Sequence, residues 1–379
     1  MKALSGKPQM LKEVNTSMIE HLIFENGPMS KPELSKRTGL SLPTINKLVD
    51  DLEKNARLCS VGRSGKGAGR KAMLYETNRN SGCILSCYYQ DGYFRCRLVD
   101  MLNTTLTEKR FPLNCSSFES AVQSTFRMID TFMEMALAEV KIIGIGLPGV
   151  VRPDGRLLEI PQISVWEGFN LKKALANRYR ITVYIENNVN LSAMGYYYTH
   201  LREKQENIIY LYVGNGIGSG IIINRHLYLG SRNFSGEIAF MAEGGSATEK
   251  DYAAAGGCLE SCVAHLVDYA TGEIRQKDNP KRRKELIATL SAVIVNHVAV
   301  LNPGAIVLGG RIFDKDLVED IKLQMRYYLH AGIMPRIIRD TGSSTGLDGL
   351  IKSCREYITT GVHLVQSPGL PESLAQIAV

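Results

Sequence analysis

Two serines, Ser30 and Ser41, each precede a short run of helix-forming residues, and Gly39 separates the two runs. Serine is a preferred N-cap because its hydroxyl accepts a hydrogen bond from an otherwise free N–H of the first helical turn. Glu33 stands three residues after Ser30 and completes a capping box. Glycine readily adopts the left-handed conformation that ends a helix. The spacing therefore predicts two short helices joined by a tight turn, which is the outline of a helix-turn-helix.

A further helix precedes this pair, and a β-hairpin follows it. Apolar residues recur at helical spacing from Met10 to the breaker cluster at 26–28. Residues 57–76 predict a strand, a glycine-rich loop and a second strand, which form the wing of a winged helix-turn-helix. We interpret residues 1–79 as a DNA-binding domain, called the head below. The buried stripe of its last helix is expected to be Leu42, Ile45, Leu48, Val49 and Leu52.

A helix-turn-helix places the first residues of its second helix in the major groove, and a basic wing reaches phosphates or the minor groove. Thr44, Asn46 and Lys47 are predicted to point outward at the start of that helix. The alternative is a helical hairpin whose charges are only solvated. The residues expected to contact a double-stranded DNA operator are Lys31, Ser41, Thr44, Asn46, Lys47, Arg63, Arg70 and Lys71.

The charge distribution favours a polyanionic partner for the head. Residues 1–79 contain 14 Lys and Arg against 8 Asp and Glu, whereas the rest of the chain carries 31 basic and 30 acidic residues. A basic domain on a neutral body is typical of a protein that binds nucleic acid through that domain.

The remaining composition is that of an ordinary globular protein. No apolar run approaches the roughly 20 residues that span a bilayer, and the N-terminal segment lacks the apolar core of a secretory signal. The eight cysteines are scattered without the spacing of a disulfide framework. We therefore expect a cytoplasmic protein with reduced thiols and no membrane partner.

The rest of the chain, residues 80–379, is called the body below, and its sequence pattern predicts an α/β fold in two halves. Strand-forming segments begin after Asn78, and hairpins early in each half are followed by alternating strands and helices. This order predicts two related lobes, over 80–190 and 191–379, with a cleft between them. The C-terminal helix is expected to pack back on the first lobe. Other helices are predicted at 117–138, 258–271, 283–301 and 314–330.

The segment LYVGNGIGSGIIIN, residues 211–224, contains four alternating glycines between two strand-forming runs. A dinucleotide fingerprint requires a strand, a turn and then a helix, so that the phosphate meets a helix N-terminus. Because strands flank this loop on both sides, it is predicted to be a wide hairpin whose N–H groups form a possible anion nest. A close backbone crossing is an equally good explanation of the glycines.

Several motifs, taken in order, resemble the ROK family of repressors, open reading frames and sugar kinases. They are GIGLPGVV (144–151), IENNVN (185–190), VGNGIGSGI (213–221), SGEIAF (235–240), GGCLE (256–260) and LNPGAIVLGG (301–310). With its N-terminal head, the chain is similar to the branch of sugar-responsive regulators that includes the N-acetylglucosamine and xylose repressors. The resemblance implies a two-lobed, actin-like sugar-kinase body with ribonuclease H-like lobes, and a homodimer or a dimer of dimers.

The chain departs from the family's kinases at two places. The kinases begin the body with an Asp and a Gly-Gly-Thr turn that grips ATP phosphate, whereas this chain reads CILSCYYQDGYF, with Asp91 at the far end of the turn. The kinases also have an Asp, acting as general base, where this chain has Asn188. A carboxamide accepts no proton at pH 7, and losing a base costs about 10²–10⁴ in rate. The chain is therefore expected to have no enzymatic activity and no cofactor.

The family's zinc site is also altered. Phe240 stands where the family has a His, and Cys258 is the one cysteine left of the three that precede the family's Glu. Cys258, Cys262 and His265 share a helix face at i, i+4 and i+7, but one thiolate at the family position does not make a tetrahedral site. We expect buried packing and no metal.

At the positions that face the sugar in the family, this chain matches the family pattern more closely than at the phosphate and zinc positions. By the resemblance, Gly149, Asn187, Asn188, Glu237 and Glu260 are expected to bind a small sugar or sugar phosphate. Carboxylates and carboxamides suit a polyol because each hydroxyl both donates and accepts. Trp166 either covers the mouth of the cleft or belongs to the core.

Three functions are compatible with these features. The first is a sugar-responsive transcriptional regulator, a repressor, with an inactive kinase-like body. The second is a bifunctional sugar kinase with a DNA-binding head. The third is a DNA-bound repressor controlled by a protein partner, and the set of Asn187, Glu237 and Glu260 favours a sugar over a protein.

Overall fold

The computed structural model describes residues 7–63, 71–242, 257–276 and 279–360. The head contains three helices and a three-stranded antiparallel sheet in the order β1-β3-β2. Its elements are α1 (Lys7–Asn26), β1 (Met29–Ser30), α2 (Lys31–Thr38), α3 (Leu42–Lys54), β2 (Leu58–Arg63) and β3 (Met73–Thr77).

The turn between α2 and α3 forms as the sequence predicts. The Ser30 and Ser41 hydroxyls accept hydrogen bonds from the N–H groups of Glu33 and Thr44, each at 3.4 Å, and Gly39 is left-handed with φ 72°. Ile45, Leu48, Val49 and Leu52 are buried. Leu42 is 42% exposed, so its assignment to the buried stripe is wrong; as the first residue of α3 it lies beyond the core that the later turns cover.

The first lobe is a five-stranded mixed sheet in the order β10-β7-β4-β5-β6. The antiparallel meander β4-β5-β6 forms one side, and β7 and β10 extend it in parallel. Its elements are β4 (Cys83–Gln90), β5 (Tyr93–Asp100), β6 (Thr105–Pro112), α4 (Phe118–Met135), β7 (Val140–Leu147), β8 (Val150–Val151), β9 (Leu157–Leu158), α5 (Leu171–Tyr179) and β10 (Thr182–Asn187).

The second lobe repeats this plan with the order β13-β12-β11-β16-β17. The antiparallel hairpin β11-β12 carries the glycine loop at its tip, as predicted. Its elements are α6 (Asn188–Tyr196), β11 (Ile208–Val213), β12 (Ile217–Ile223), β13 (His226–Leu227), α7 (Cys258–Leu266), β14 (Val267–Asp268), β15 (Glu273–Ile274), α8 (Pro280–Leu301), β16 (Ala305–Gly309), α9 (Lys315–Met325), β17 (Arg336–Arg339) and α10 (Thr345–Thr360).

Two predicted helices are too long. The helix predicted at 258–271 ends at Leu266, because Val267 and Asp268 pair with β15. The helix predicted at 314–330 ends at Met325, and turns follow it.

Helix α8 contains a longer apolar stretch than the sequence analysis predicted. An 18-residue window within Pro280–Leu301 reaches a mean hydropathy of 1.5, which by length and composition alone is enough to cross a membrane. Leu286, Leu290, Ile294 and Val298 on this helix pack in the apolar core of the second lobe. This packing accounts for the apolar face.

Helices α6 and α10 lie between the two sheets. Ala193 and Met194 of α6 pack on the second-lobe sheet, whereas Leu350 and Cys354 of α10 pack on the first-lobe sheet. The two helices also pack against each other. The C-terminal helix therefore contacts the first lobe, and α6 connects it to the second.

Candidate functional site

A cavity of about 1400 Å³ lies between the lobes. Polar groups of both lobes line it, together with the glycine loop. All five residues that the resemblance assigns to the sugar reach this one cavity: Gly149, Asn187, Asn188, Glu237 and Glu260.

Asn187 joins the two lobes. Its Nδ2 donates to the Gly149 carbonyl at 2.8 Å and to Glu237 Oε1 at 3.3 Å, while its Oδ1 accepts from the N–H groups of Val189 and Asn190 at 2.7 and 3.2 Å. The side chain is thus the N-cap of α6 and also spans the cleft. A ligand that bonds to this amide or to Glu237 acts directly on the start of α6.

Gly149 brings the backbone of the first lobe close to the cavity. Its φ is +83°, and a Cβ added there would lie 2.5 Å from the carbonyl oxygen of Glu159. Both facts require glycine, because a side chain would be strained in conformation and would collide with backbone. The carbonyl of Gly149 is left directed at Asn187.

Glu237 is a half-buried carboxyl with anionic neighbours. Desolvation of the carboxyl, together with the charges of Glu159 and Glu186, raises its pKa from the ordinary 4.5 to about 7. Its hydrogen bond from Asn187 is long at 3.3 Å. The carboxyl therefore retains capacity for another donor, which a hydroxyl-rich ligand would supply.

This pKa has a consequence for stability. Because the folded-state pKa lies above the ordinary 4.5, the folded state binds a proton that the unfolded state releases, and the free energy of unfolding falls as pH rises from about 4.5 through 7. We expect Glu237→Gln to be more stable than wild type at pH 8 by about 1–2 kcal/mol and nearly equal at pH 4. Thermal melts across this range measure it, and a constant difference at all pH values would contradict it.

Glu260 forms a hydrogen bond with the backbone next to the glycine loop. Its Oε2 accepts a hydrogen bond from the N–H of Ile217 at 2.8 Å, and burial raises its pKa. The Gly216 Cα also faces this carboxylate, since a Cβ there would lie 3.7 Å from Oε2. One N–H of the predicted anion nest is thus already used by a carboxylate of the protein.

Asn188 turns toward the first lobe. Its Nδ2 donates to the carbonyl of Tyr89 at 2.8 Å, and its buried Oδ1 has no hydrogen-bond partner. An aspartate in this position would direct an acceptor at the same carbonyl. The amide is therefore used to hold the start of α6 against β4.

The tip of the glycine loop is linked to the first lobe by residues that the sequence reading did not single out for this role. Asn215 donates to the carboxylate of Asp91, and Gln162 donates to the Asn215 carbonyl. Arg311 reaches the same carboxylate of Asp91 at 3.2 Å. Asp91 follows β4 in a tight hairpin turn with φ +54°, and the Asp-Gly pair at 91–92 was the available sequence signal.

Trp166 does not cover the mouth of the cleft. Its side chain is 0% exposed and belongs to the first-lobe core beside Phe169. Phe240, which replaces the family His, does line the cavity and packs on Phe234 with ring centroids 5.3 Å apart. The cavity therefore has an aromatic wall on that side.

The head presents the predicted DNA-facing residues unequally. Ser41, Asn46, Lys47, Arg63 and Lys71 are exposed, and the Thr44 hydroxyl is 2.8 Å from that of Ser41. Lys31 is less available, because it forms an ion pair with Asp50 and lies 5.2 Å from the ring of Tyr75. Arg70 lies outside the described residues.

The ROK family model matches residues 92–339, and a model of winged helix-turn-helix DNA-binding domains matches residues 21–55. The chain belongs to the ROK family. Its fold agrees with that of a ROK family transcriptional regulator, described as a homologue of the E. coli MLC protein, at a TM-score of 0.75 and 20% identity over 94% of this chain and 99% of that one.

Curated relatives in this family include repressors. The xylose repressor of Bacillus subtilis (strain 168) is 31% identical over 234 residues, which cover 61% of this chain and 61% of the relative. The N-acetylglucosamine repressor of Escherichia coli O157:H7 is 24% identical over 268 residues, covering 70% of this chain and 66% of that one. The chain thus spans about three fifths of the xylose repressor that it matches.

The ROK fold is shared with enzymes. A ROK family glucokinase from Streptomyces griseus, solved with glucose and AMPPNP, superposes at a TM-score of 0.56 and 20% identity over 73% of this chain and all of that one. This likeness concerns the fold of the body.

Helix α7 carries the three side chains that the sequence analysis weighed as metal ligands. Cys258, Cys262 and His265 share helix α7, and His265 is exposed to solvent. Over the described ranges, no group of three or more His, Cys, Asp and Glu side chains is placed to hold a metal ion. Residues 243–256, which precede Cys258, lie outside those ranges.

Proposed function

We propose that this ROK protein is a sugar-regulated transcriptional repressor whose kinase-like body binds a sugar without phosphorylating it. The observation that carries the proposal is the hydrogen bond from Asn187 to Glu237, which connects the lobes within one polar cleft of a chain with a winged helix-turn-helix head. The xylose repressor and the N-acetylglucosamine repressor among its relatives favour the same function.

The contacts around the glycine loop argue against phosphoryl transfer. Catalysis of that reaction depends on donors and cations that stabilise the charge of the transferred phosphoryl group. Here the Asp91 carboxylate accepts hydrogen bonds from Asn215 at the loop tip and from Arg311. The Glu260 carboxylate accepts one from the Ile217 N–H. Two carboxylates at the loop would repel a phosphate. Asn188 supplies no base, because a carboxamide accepts no proton at pH 7, and its Nδ2 donates to the Tyr89 carbonyl.

The experiment compares sugar binding with ATP consumption. We expect a panel of pentoses, hexoses and acetamido sugars to include at least one that raises the melting temperature, with no sugar-dependent release of ADP. Turnover of about 1–100 s⁻¹, the range of ordinary kinases, would contradict the proposal. Asn188→Asp is expected to remain inactive, since Asp91 still occupies the loop tip.

The geometry also offers a route from the cleft to the head. Helix α6 begins at the Asn187 cap, and its backbone crosses α10 at contact distance: a Cβ on Gly195 would lie 2.0 Å from the Thr345 carbonyl oxygen, and one on Gly349 1.9 Å from that of Leu191. Packed this closely, the two helices move together, because a small shift of α6 cannot be absorbed between them.

The far end of this helix pair contacts the head. Arg355 of α10 lies 4.1 Å from the ring of Phe24 in α1, and Arg202, which follows α6, forms an ion pair with Glu25 of α1 at 2.6 Å. We infer that a sugar bonded to Asn187 or Glu237 shifts α6 and α10 and so reorients α1. Two heads of a homodimer would then lose or gain the spacing of about 34 Å that adjacent half-sites require.

A further inference from the structure

Glu159 adopts an unusual backbone conformation at the edge of the cleft. Its φ is +50°, in the left-handed region that non-glycine residues seldom adopt, and its side chain is exposed where it lines the cavity. This conformation is strained for a residue with a side chain, because the Cβ comes too close to the following carbonyl oxygen. Asp91, which also lines the cavity with positive φ, belongs to a tight hairpin turn that requires it. Glu159 is in no such turn.

The surrounding structure maintains this conformation. The Glu167 carboxylate accepts hydrogen bonds from the N–H groups of Glu159 and Ile160, at 3.3 and 3.4 Å. The Glu159 carbonyl lies against the Cα of Gly149, where even a Cβ would be only 2.5 Å away. The strain is thus stabilised by a carboxylate and by a glycine that leaves room for it. Strained residues maintained in this way cluster at ligand sites.

Glu159 faces the candidate sugar site. Glu159 and Glu237 line the same cavity, and the charge of Glu159 is among the causes that raise the pKa of Glu237. The Gly149 carbonyl, which packs next to the Glu159 backbone, accepts from the same Asn187 amide that donates to Glu237. Gly149, Glu159, Asn187 and Glu237 therefore surround one region of the cavity.

We propose that Glu159 contacts the sugar and selects among sugars, by accepting hydrogen bonds from hydroxyls that face the first lobe. The proposal rests on the proposed sugar-binding function. A sugar that presents a hydroxyl to this carboxylate gains a hydrogen bond to a charged acceptor, and an analogue that lacks the hydroxyl does not. Glu167 is then a positioning residue, since its carboxylate accepts hydrogen bonds from the N–H groups of Glu159 and Ile160.

The test is isothermal titration of the full chain with individual pentoses, hexoses and acetamido sugars. Glu159→Gly removes the carboxylate and relieves the backbone strain, so the fold is retained. We expect this variant to bind the best wild-type sugar at least about tenfold more weakly and to change the order of preference among sugars. Glu159→Gln keeps one acceptor oxygen, and its sugar affinity is expected to lie between those of wild type and Glu159→Gly. Glu203→Gln, the same chemical change at an exposed residue outside the cleft, serves as control and should match wild type.

The outcomes separate the two levels of the proposal. If Glu159→Gly binds every sugar as tightly as wild type and in the same order, Glu159 has no role in selection while the proposed function stands. If neither wild type nor any variant binds a sugar of the panel, the proposed function fails and the role of Glu159 fails with it. A uniform weakening without a change of order would indicate a structural role and would overturn the selection by Glu159.

Discussion

Raising the salt concentration from 50 to 200 mM is expected to weaken operator binding by about a thousandfold. Each phosphate neutralised by Lys or Arg releases counterions, with a log–log slope of about −0.9 per phosphate. The exposed cations Lys47, Arg63 and Lys71 provide three candidate contacts in one head, and two heads of a dimer provide six. Fluorescence anisotropy with a labelled operator at several salt concentrations gives the slope. A flat response would exclude DNA binding through the basic head.

Single substitutions then assign the contacts. Lys71→Ala should lower affinity for all sequences and reduce the slope by about one per head, whereas Asn46→Ala should change the preferred base. Lys204→Ala removes an exposed lysine from the body and is the matched control. Lys31 is expected to contribute least, because Asp50 already pairs with it. An unchanged slope in Lys71→Ala would remove the wing from the interface.

The sugar is expected to change operator affinity by 5–150-fold, which corresponds to about 1–3 kcal/mol of coupling between cleft and head. If the change passes through α10 and α1, Phe24→Ala should abolish most of it, because Arg355 loses the ring on which it stacks. Sugar affinity itself should stay within about twofold of wild type. Phe24 does not line the cavity, and a substitution outside a binding site has little direct effect on the contacts within it.

A second aromatic residue controls for the loss of a ring that packs on a neighbouring side chain. Phe118 on α4 packs edge-on against Phe169 in the first lobe, with ring centroids 4.8 Å apart. Phe118→Ala should therefore keep the full sugar response. An undiminished response in Phe24→Ala would exclude the α6–α10–α1 route, whatever the affinity for sugar.

The local signals of the sequence predict the head well. Caps and turns depend on one or two residues, and Ser30, Gly39 and Ser41 behave in the structure as their side chains require. The hairpin at the glycine loop is likewise fixed by the strands on either side of it. The burial of Leu42 and of Trp166 was harder to predict, because helical periodicity and residue type do not reveal which neighbours cover a side chain.

The site was predictable only in part. Motifs supplied five residues that line the cavity, but not their partners. That Asn187, the N-cap of α6, also reaches Glu237 depends on a contact between residues 50 positions apart. Asp91 and Arg311 meet over an even longer separation. The strain at Glu159 is invisible in the sequence, since a glutamate gives no signal for positive φ. Long-range packing decides all three.

The most direct measurement of the central claim is operator affinity with and without the sugar found by the binding screen, for wild type and for Glu237→Gln. Glu237 joins the lobes through Asn187, so replacing its carboxylate by an amide removes the charge and one acceptor oxygen at the point where the sugar would act on α6. We predict that wild type shows a 5–150-fold change and that Glu237→Gln shows none, while both bind the operator equally without sugar. The same sugar-dependent change in wild type and Glu237→Gln would contradict the account.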